Sequence, residues 1–276
     1  MRSCAGPWPV PELVRVIARL NLGGPARHVA RIDGPLRRRG WRTLVVSGHV
    51  EPGELDLEAE LREAGVAVLR LPELGRALAP GADRRARAAL VDVLRERRPD
   101  VVHTHTAKAG VLGRLAARRA DVAYLLGEPA AARPAVVHTF HGHVLGPPFG
   151  PLAARAFAAV ERRLARGTDR LVAVAPEIRD ELLHRWGVGH ARQWVVIPPG
   201  IDEERVRPDP AGGAAWRAEL GVAPEDVLVG YVGRLDVVKD VDALLDAWPA
   251  AGPGAQLVVL GAGPERERLM ARLHGL

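Results

Sequence analysis

Residues 100–117 read DVVHTHTAKAGVLGRLAA and join two kinds of pattern in one stretch. An aspartate opens a short apolar run that ends at Thr104, and polar residues then lead into an alanine-rich segment with helical spacing. A short apolar run followed by a helix is the repeating unit of a parallel sheet covered by helices. The stretch therefore predicts one strand–helix unit of a mostly parallel α/β fold.

The same alternation recurs on both sides of this unit. Most of the apolar runs are bounded by Gly, Pro or Asp, and helical patterns such as 83–97 and 151–166 lie between them. Besides 100–104, the runs predict strands over residues 13–18, 42–47, 66–71, 135–140, 171–175 and 194–197. We therefore predict a doubly wound, Rossmann-like parallel-sheet domain over residues 1–200.

The pattern breaks at residues 198–200, which read PPG, and charged residues follow as far as Pro210. A second α/β pattern then predicts strands over 227–232 and 256–260 and helices over 241–248 and 264–273. We predict that residues 201–276 form a linker and the first part of a second Rossmann-like domain. Two strands are fewer than a covered parallel sheet ordinarily needs, so we expect this domain to be incomplete.

Composition excludes several classes of protein. The chain has 276 residues, 47% of them hydrophobic and 26% charged, which is typical of a globular protein. Cys4 is the only cysteine, which excludes a disulfide framework and a multi-cysteine zinc site. No apolar run reaches the roughly 18 residues that span a bilayer, and the first residues lack the pattern of a signal peptide. We therefore expect a cytoplasmic protein.

Charge is distributed unevenly along the chain. Residues 1–200 carry 31 basic and 20 acidic groups, net +11, whereas residues 201–276 carry 8 and 13, net −5. A basic part is compatible with nucleic acid, an anionic membrane surface or a phosphorylated substrate as partner. Only 4% of the residues are aromatic and no nucleic-acid-binding motif is present. The expected partners therefore exclude nucleic acid.

Two histidine-rich motifs follow neighbouring predicted strands. Half of the chain's ten histidines fall in HTH at 103–105 and HTFHGH at 138–143, and Lys108 comes just behind the first motif. In open α/β sheets ligands bind at the carboxyl ends of strands. We therefore favour a polar functional site over hydrogen-bonded core histidines. A metal pair at His103 and His105 is less favoured, because no carboxylate stands at a ligand spacing.

Glycine-rich turns lie between predicted strands and the helices that follow them. Gly23-Gly24 lets the backbone approach a ligand, and free amides at a helix start attract phosphate. The alternative interpretation is a plain strand-to-helix turn without a ligand. Arg234 and Lys239 could hold phosphate oxygens or pair with nearby aspartates, and both interpretations remain open. The turn at 260–264, LGAGP, is common in Rossmann-like domains.

Taken in order, seven segments resemble the retaining glycosyltransferases of the GT-B fold, in the large family that uses nucleotide-sugar donors. Two of them look most like the branch that builds bacterial surface polysaccharides: HTHTAKAG and HTFHGH. The seven segments are LNLGG at 20–24, DVVHTHTAKAGVLGRLAA at 100–117, VVHTFHGHV at 136–144, DRLVAVAPEIRDEL at 169–182, VVIPPGID at 195–202, VGRLDVVKD at 232–240 and LVVLGAGPERERL at 257–269.

The resemblance implies two facing Rossmann-like domains, with the acceptor bound mainly by the first and the nucleotide sugar mainly by the second. His141 would be the catalytic residue beside the transferred sugar. The implied donor-binding residues are Gly23, Gly24, Arg234, Lys239, Gly261 and Gly263. The implied acceptor or cleft residues are His103, His105, Lys108 and His143. Fixed cations and amide dipoles would stabilise the departing diphosphate, so no metal and no other cofactor is expected.

Two departures from the family pattern stand out. The Glu-x7-Glu motif that contacts the donor has no counterpart before Leu276, which predicts that this piece alone is a poor or inactive catalyst. The family usually has glycine after the motif lysine, whereas this chain has Asp240.

The resemblance implies transfer of a sugar to a glycan, expected to be lipid-linked, at the cytoplasmic face of a membrane, with an anionic membrane surface as a possible partner. A sugar-nucleotide epimerase of the same architecture and a non-catalytic sugar-nucleotide-binding module remain alternatives. An NAD-dependent oxidoreductase is disfavoured, because neither half shows the dinucleotide fingerprint with its downstream acid.

Overall fold

A computed structural model describes residues 10–51, 54–75, 77–125, 133–142, 150–201, 203 and 206–273, with the backbone alone for 121–125. Contacts divide the chain into two compact units, Met1–Ile201 and Asp202–Leu276. The acceptor and donor roles that the resemblance gives to these parts remain predictions.

The first unit alternates strands with helices. Its elements are β1 (Glu12–Arg19), α1 (Gly24–Arg38), β2 (Arg42–Gly48), α2 (Glu58–Glu63), β3 (Ala67–Arg70), α3 (Pro80–Arg97), β4 (Val101–His105), α4 (Ala107–Leu125), β5 (Ala135–Phe140), α5 (Pro151–Ala165), β6 (Arg170–Ala173), α6 (Pro176–Asp180) and β7 (Trp194–Val196). A π-helical turn over Glu181–Arg185 continues α6.

The seven strands form one parallel sheet in the order β3-β2-β1-β4-β5-β6-β7. The strand order reverses between β1 and β4, which makes their carboxyl ends the topological switch point where such sheets bind ligands. β5 lies next to β4, so the residues that follow β1, β4 and β5 meet at one edge of the sheet. The predicted doubly wound α/β fold is confirmed.

Apolar side chains fill both faces of this sheet, as the continuous apolar runs of the strands require. On one face Val14 and Val16 pack in a core with residues of α3 and α4, and on the other Ile17 packs with Val29 of α1. This division follows from the alternation of side chains along a strand, and it places odd-numbered residues of β1 beneath α1.

Helix α4 is longer than the sequence pattern predicts, because it begins at Ala107, inside the polar motif, and continues to Leu125. The sequence predicts a helix over 111–119, followed by a surface insertion over the less regular, alanine-rich residues 120–133. That insertion is wrong for its first six residues, which continue α4, and 126–132 lie outside the described residues. Small residues let α4 approach the sheet closely. A Cβ on Gly110 would lie 2.4 Å from His138 Cε1, and one on Gly113 would lie 2.7 Å from Thr104 Cγ2.

The second unit contains α7 (Pro210–Glu219), β8 (Val227–Val232), α8 (Val241–Ala247), β9 (Ala255–Leu260) and α9 (Arg266–Leu273). The strands β8 and β9 are parallel neighbours, and a small core surrounds Leu235, Leu245 and Leu269. In the described ranges of the chain, no helix combines the length and apolar character that crossing a membrane requires.

Candidate active site

Four imidazole rings meet at the carboxyl edge of the first sheet. His103 and His105 point to the same face of β4, and His141 comes directly after β5. Helix α1 covers this face and adds His28 from its second turn. We call these four residues the histidine cluster. The sequence prediction that the two motifs converge is confirmed for His103, His105 and His141.

The rings of the histidine cluster are in direct contact. The Nδ1 atom of His105 lies 3.0 Å from Nε2 of His141. The His103 and His105 ring centres are 4.1 Å apart, and His28 meets His141 edge to face at 5.2 Å. His103 Nε2 also lies 2.8 Å from the hydroxyl oxygen of Thr139, so each ring of the two β4 histidines has a defined orientation.

A buried arginine lies beneath the cluster. Arg15 of β1 is only 1% exposed, pairs with Asp33 of α1 at 3.2 Å and donates to the carbonyl of Val29 at 3.3 Å. Its register partner across the sheet is His103. The ion pair therefore fixes α1 on the sheet and places a permanent positive charge beside the imidazoles.

The cluster is electrically neutral at physiological pH. Burial, followed by nearby positive charges that include Arg15, lowers the pKa of His103 and of His105 well below the usual histidine value. Burial, followed by the repulsion that a protonated His28 would exert, lowers the pKa of His141 to about 4. A neutral imidazole has one donor nitrogen and one acceptor nitrogen, so His141 is suited to hydrogen bonding with a sugar hydroxyl.

His138 occupies a different environment from the other described histidines of the two motifs. It points to the opposite face of the sheet, is 2% exposed and lies with Nδ1 2.8 Å from the Thr104 hydroxyl. It also meets Phe140 edge to face at 4.4 Å, beneath Gly110. His138 is therefore a hydrogen-bonded core residue, because strand alternation separates it from the cluster.

The predicted glycine turn stands at the start of α1. Gly23 is the N-cap of this helix, which has no side-chain cap. The turn is held in place by a hydrogen bond from Leu22 N to Leu55 O at 2.9 Å and one from Asn21 Nδ2 to Glu54 Oε1 at 3.0 Å. A Cβ on Gly24 would meet nothing within 4 Å. The space in front of Gly24 is open, and no fold contact requires glycine there.

Lys108 and His143 are the other two predicted cleft residues, and the structure describes only the first of them. Lys108, in the first turn of α4, forms an ion pair with Asp83 and donates to the carbonyl of Ala77, so its ammonium group holds α3 to α4. His143 lies outside the described residues.

Within the described residues, no group of three or more His, Cys, Asp or Glu side chains is arranged to hold a metal ion. The four rings of the cluster stack and meet edge to face, and their nitrogens do not converge on a common point.

In the second unit, the two predicted phosphate ligands differ in their surroundings. Arg234 follows β8, pairs with Asp236 at 2.9 Å and has a side chain that is 49% exposed. Lys239 ends a short 3-10 turn, is exposed and has no ion-pair partner among the described side chains. Asp240 follows in a left-handed conformation with φ 45° and ψ 52°, a region that glycine adopts without cost. The glycine that the resembling family has at this position would adopt this conformation without strain.

Gly261 and Gly263 have a packing role in the second unit. A Cβ on Gly261 would lie 2.0 Å from the carbonyl oxygen of Gly233, and one on Gly263 would lie 2.0 Å from that of Leu235. Hydrogen bonds from Gly233 N to Leu260 O and from Leu235 N to Ala262 O join the two loops. These glycines are needed for loop-to-loop contact, and donor binding by them remains a prediction.

The described geometry agrees with a match to known proteins. The model of Glycosyltransferase Family 4 matches residues 22–205, about two thirds of the chain. The chain belongs to glycosyltransferase family 4. The match includes α1, all four residues of the histidine cluster and every element from β2 to β7. It begins after Arg15, which lies beneath the cluster.

Two relatives and one solved structure show how this chain of glycosyltransferase family 4 compares with known proteins. It is 28% identical over 276 residues to the D-inositol 3-phosphate glycosyltransferase of Xylanimonas cellulosilytica, covering 93% of this chain and 62% of the relative. It is 31% identical over 255 residues to the GDP-mannose-dependent alpha-(1-6)-phosphatidylinositol monomannoside mannosyltransferase of Mycobacterium tuberculosis, covering 91% and 60%. Anabaena Alr3699/HepE, crystallised with UDP and glucose, matches with a TM-score of 0.71 at 21% identity, covering 96% and 65%.

These matches fix the fold and the family. The predicted GT-B architecture is confirmed by the solved glycosyltransferases, and the family 4 chain spans about 60% of the length of the two curated relatives.

Sequence reasoning missed two residues at the candidate site of this family 4 chain. His28 is one helical turn beyond Gly24, and Arg15 interrupts an apolar strand at 12–19. A charged residue in the middle of a buried strand is costly unless it is paired. Arg15 was therefore a sequence signal that a buried polar site lies on this strand. Nothing in the spacing of His28 connects it to the histidines of β4, because only tertiary packing of α1 brings them together.

Proposed function

We propose that the chain is the glycosyl-transferring part of an enzyme that moves a sugar from a nucleotide-sugar donor to a lipid-linked glycan acceptor with retention of anomeric configuration. The observation that carries this proposal is the neutral histidine cluster beside the open Gly23-Gly24 turn, in a chain of glycosyltransferase family 4. The proposed setting is bacterial surface polysaccharide or glycolipid synthesis.

The proposed reaction breaks the bond between the anomeric carbon and the phosphate oxygen and forms one to an acceptor hydroxyl oxygen on the same face. The hydroxyl proton passes to the departing phosphate oxygen, and the diphosphate leaves with the electron pair of the broken bond. Negative charge grows on that leaving group, so amides and cations fixed nearby lower the barrier.

The chain offers such groups in both units. In the first, the uncapped start of α1 presents amides to an anion. In the second, Arg234 and Lys239 are proposed to bind the donor diphosphate, and Lys239 has no carboxylate partner among the described residues. No metal is invoked for this step.

The proposed acceptor and location rest on the relatives and on charge. The M. tuberculosis relative is named for GDP-mannose and a phosphatidylinositol monomannoside, which are a nucleotide sugar and a lipid-anchored glycan. Residues 1–200 carry a net charge of +11, which favours an anionic membrane surface as partner. We propose a peripheral position on the cytoplasmic face of the membrane, where both substrates are available.

Gly24→Ala is expected to reduce sugar transfer at least about tenfold, because its methyl group would stand where the donor phosphate must approach. The unfolding free energy should change by no more than about 0.5 kcal/mol, since no atom lies within 4 Å of the new carbon. The assay uses the protein as its native host makes it, host membranes, and radiolabelled UDP-, GDP- and ADP-sugars, and it counts organic-extractable product.

Gly213→Ala is the matched control, because it also adds a methyl group to open space near a helix start, in α7. It should transfer at the wild-type rate. Sugar transfer by Gly24→Ala at the wild-type rate would contradict the proposed role of the turn. Product that stays in the aqueous phase would contradict the lipid-linked acceptor, and interconverted nucleotide sugar without acceptor would indicate the epimerase alternative. Donor binding without any product would indicate a binding module.

A further inference from the structure

The contact between His105 and His141 can hold only one proton when both rings are neutral. His105 Nδ1 and His141 Nε2 are 3.0 Å apart, so one nitrogen donates and the other accepts. Two arrangements are possible. Either His105 Nδ1 carries the hydrogen, or His141 Nε2 does.

The second nitrogen of His105 distinguishes the two arrangements. His105 is fully buried, and its Nε2 atom has no hydrogen-bond partner among the described residues. If His141 were the donor, the hydrogen of His105 would sit on Nε2 as a buried N–H group without an acceptor. Orphaned buried N–H groups are rarer in folded proteins than under-satisfied acceptors. The observed burial therefore favours the hydrogen on His105 Nδ1.

Neighbouring groups hold the His105–His141 pair in this geometry. The ring of His103 lies over that of His105 at 4.1 Å and is itself held by Thr139 at 2.8 Å. On the other side, His28 meets the His141 ring edge to face at 5.2 Å. These contacts fix the planes of both imidazoles, and turning either ring over would break the contact between His105 Nδ1 and His141 Nε2.

We propose that His105 is a positioning residue that donates from Nδ1 to His141 Nε2 and thereby fixes His141 as the tautomer with its hydrogen on Nδ1. His141 is partly exposed, and its Nδ1 has no partner among the described residues. It then offers an N–H donor to an oxygen of the bound sugar. The catalytic meaning of this arrangement rests on the proposed function, whereas the tautomer itself does not.

The direct test is a long-range ¹H–¹⁵N correlation spectrum of the intact chain with ¹⁵N-labelled histidines, at pH 7 and without ligand. The His141 signals are assigned by their loss in His141→Asn. We expect His141 Nδ1 at the position of a protonated nitrogen and Nε2 at that of an unprotonated one. The reverse pattern, or averaged signals from both tautomers, would overturn the proposal.

Two substitutions test the positioning role. His105→Asn places an amide N–H near the position of Nδ1, so it should keep the His141 tautomer and retain a kcat at least about threefold higher than that of His105→Leu. His105→Leu removes the donor, so His141 should show averaged tautomers and kcat should fall about tenfold, with KM changed by less than about twofold. An unchanged tautomer in His105→Leu would overturn the proposal even if activity fell.

The wild-type spectrum needs no variant to fold and no activity, so the proposal is testable if His105→Leu is unstable. The failures are also distinguishable. The expected tautomer together with absence of sugar transfer by the protein as its native host makes it would contradict the proposed function and leave the hydrogen bond established. Sugar transfer with the opposite tautomer would contradict only the positioning role.

Discussion

Replacing Arg114 by alanine is expected to lower the free energy of unfolding by about 3–5 kcal/mol. Arg114 of α4 is 1% exposed and donates from Nη2 to both carboxylate oxygens of Glu161 in α5, each at 2.8 Å. Its Nε also donates to the carbonyl of Gly110 at 2.8 Å. Without the arginine, the Glu161 carboxylate is left buried and unpaired, which is the costly situation for an ion. Urea unfolding followed by circular dichroism measures the loss.

The double variant Arg114→Met with Glu161→Leu is the matched control, because it removes both charges and keeps apolar volume. It should be close to wild type or more stable, since apolar replacement of a buried ion pair often costs nothing. A loss below about 1 kcal/mol in Arg114→Ala, or an equal loss in both variants, would show that the buried charge is not the cause.

Acidification from pH 7 to pH 5 is expected to destabilise the chain, by up to about 1.4 kcal/mol per pH unit below pH 6.5 for each histidine kept neutral by the fold. Burial lowers the pKa of five of them below the ordinary value of 6.5, that of His141 to about 4. As pH falls through 6.5, these histidines become protonated in the unfolded chain but stay neutral in the folded chain. The free energy of unfolding is therefore highest above this pH and decreases as the pH falls below it. The five histidines are His28, His103, His105, His138 and His141.

The charged groups around the cluster set the size of this effect. Arg15 adds to it, because its positive charge opposes protonation of the neighbouring imidazoles. Asp33 reduces the destabilisation, because burial raises the pKa of this carboxyl and the folded chain therefore binds its proton before the unfolded chain does. This reduction amounts to one proton at most. Urea unfolding at several pH values between 7 and 5 gives the slope of the unfolding free energy against pH. This slope should correspond to an uptake of at least about three protons on unfolding. An uptake below one proton would contradict neutral burial of the cluster.

The fold could be predicted because its signals are local. An apolar run such as 135–140 has the length of a strand, and the observed β5 covers the same residues. The end of α4 could not be predicted from its periodicity, because residues 120–133 are alanine-rich and less regular. Its start was missed because Gly110 resembles a turn signal in sequence, whereas Gly113 lies inside the predicted helix over 111–119. Only the close approach to His138 and Thr104 shows why these glycines stand in a helix.

The candidate site was predicted in part, for a topological reason. His105 and His141 converge because the strands that precede them are neighbours in the sheet, which the α/β pattern implies. His28 joins them through the packing of α1, and no sequence spacing encodes that contact. The pairing of Lys108 with Asp83 was equally invisible, because the choice of ion-pair partner depends on how α3 and α4 lie together.

The most direct test of a glycosyl-transfer site at the histidine cluster is the rate of sugar transfer by His141→Ala, measured beside the wild type and His190→Ala in the protein as its native host makes it. We expect His141→Ala to transfer at least about tenfold more slowly, a loss of about 1.4 kcal/mol in barrier lowering, with its melting temperature preserved and with His190→Ala unimpaired. Wild-type turnover by His141→Ala, accompanied by a lower melting temperature, would show that the cluster supports the fold and takes no part in transfer.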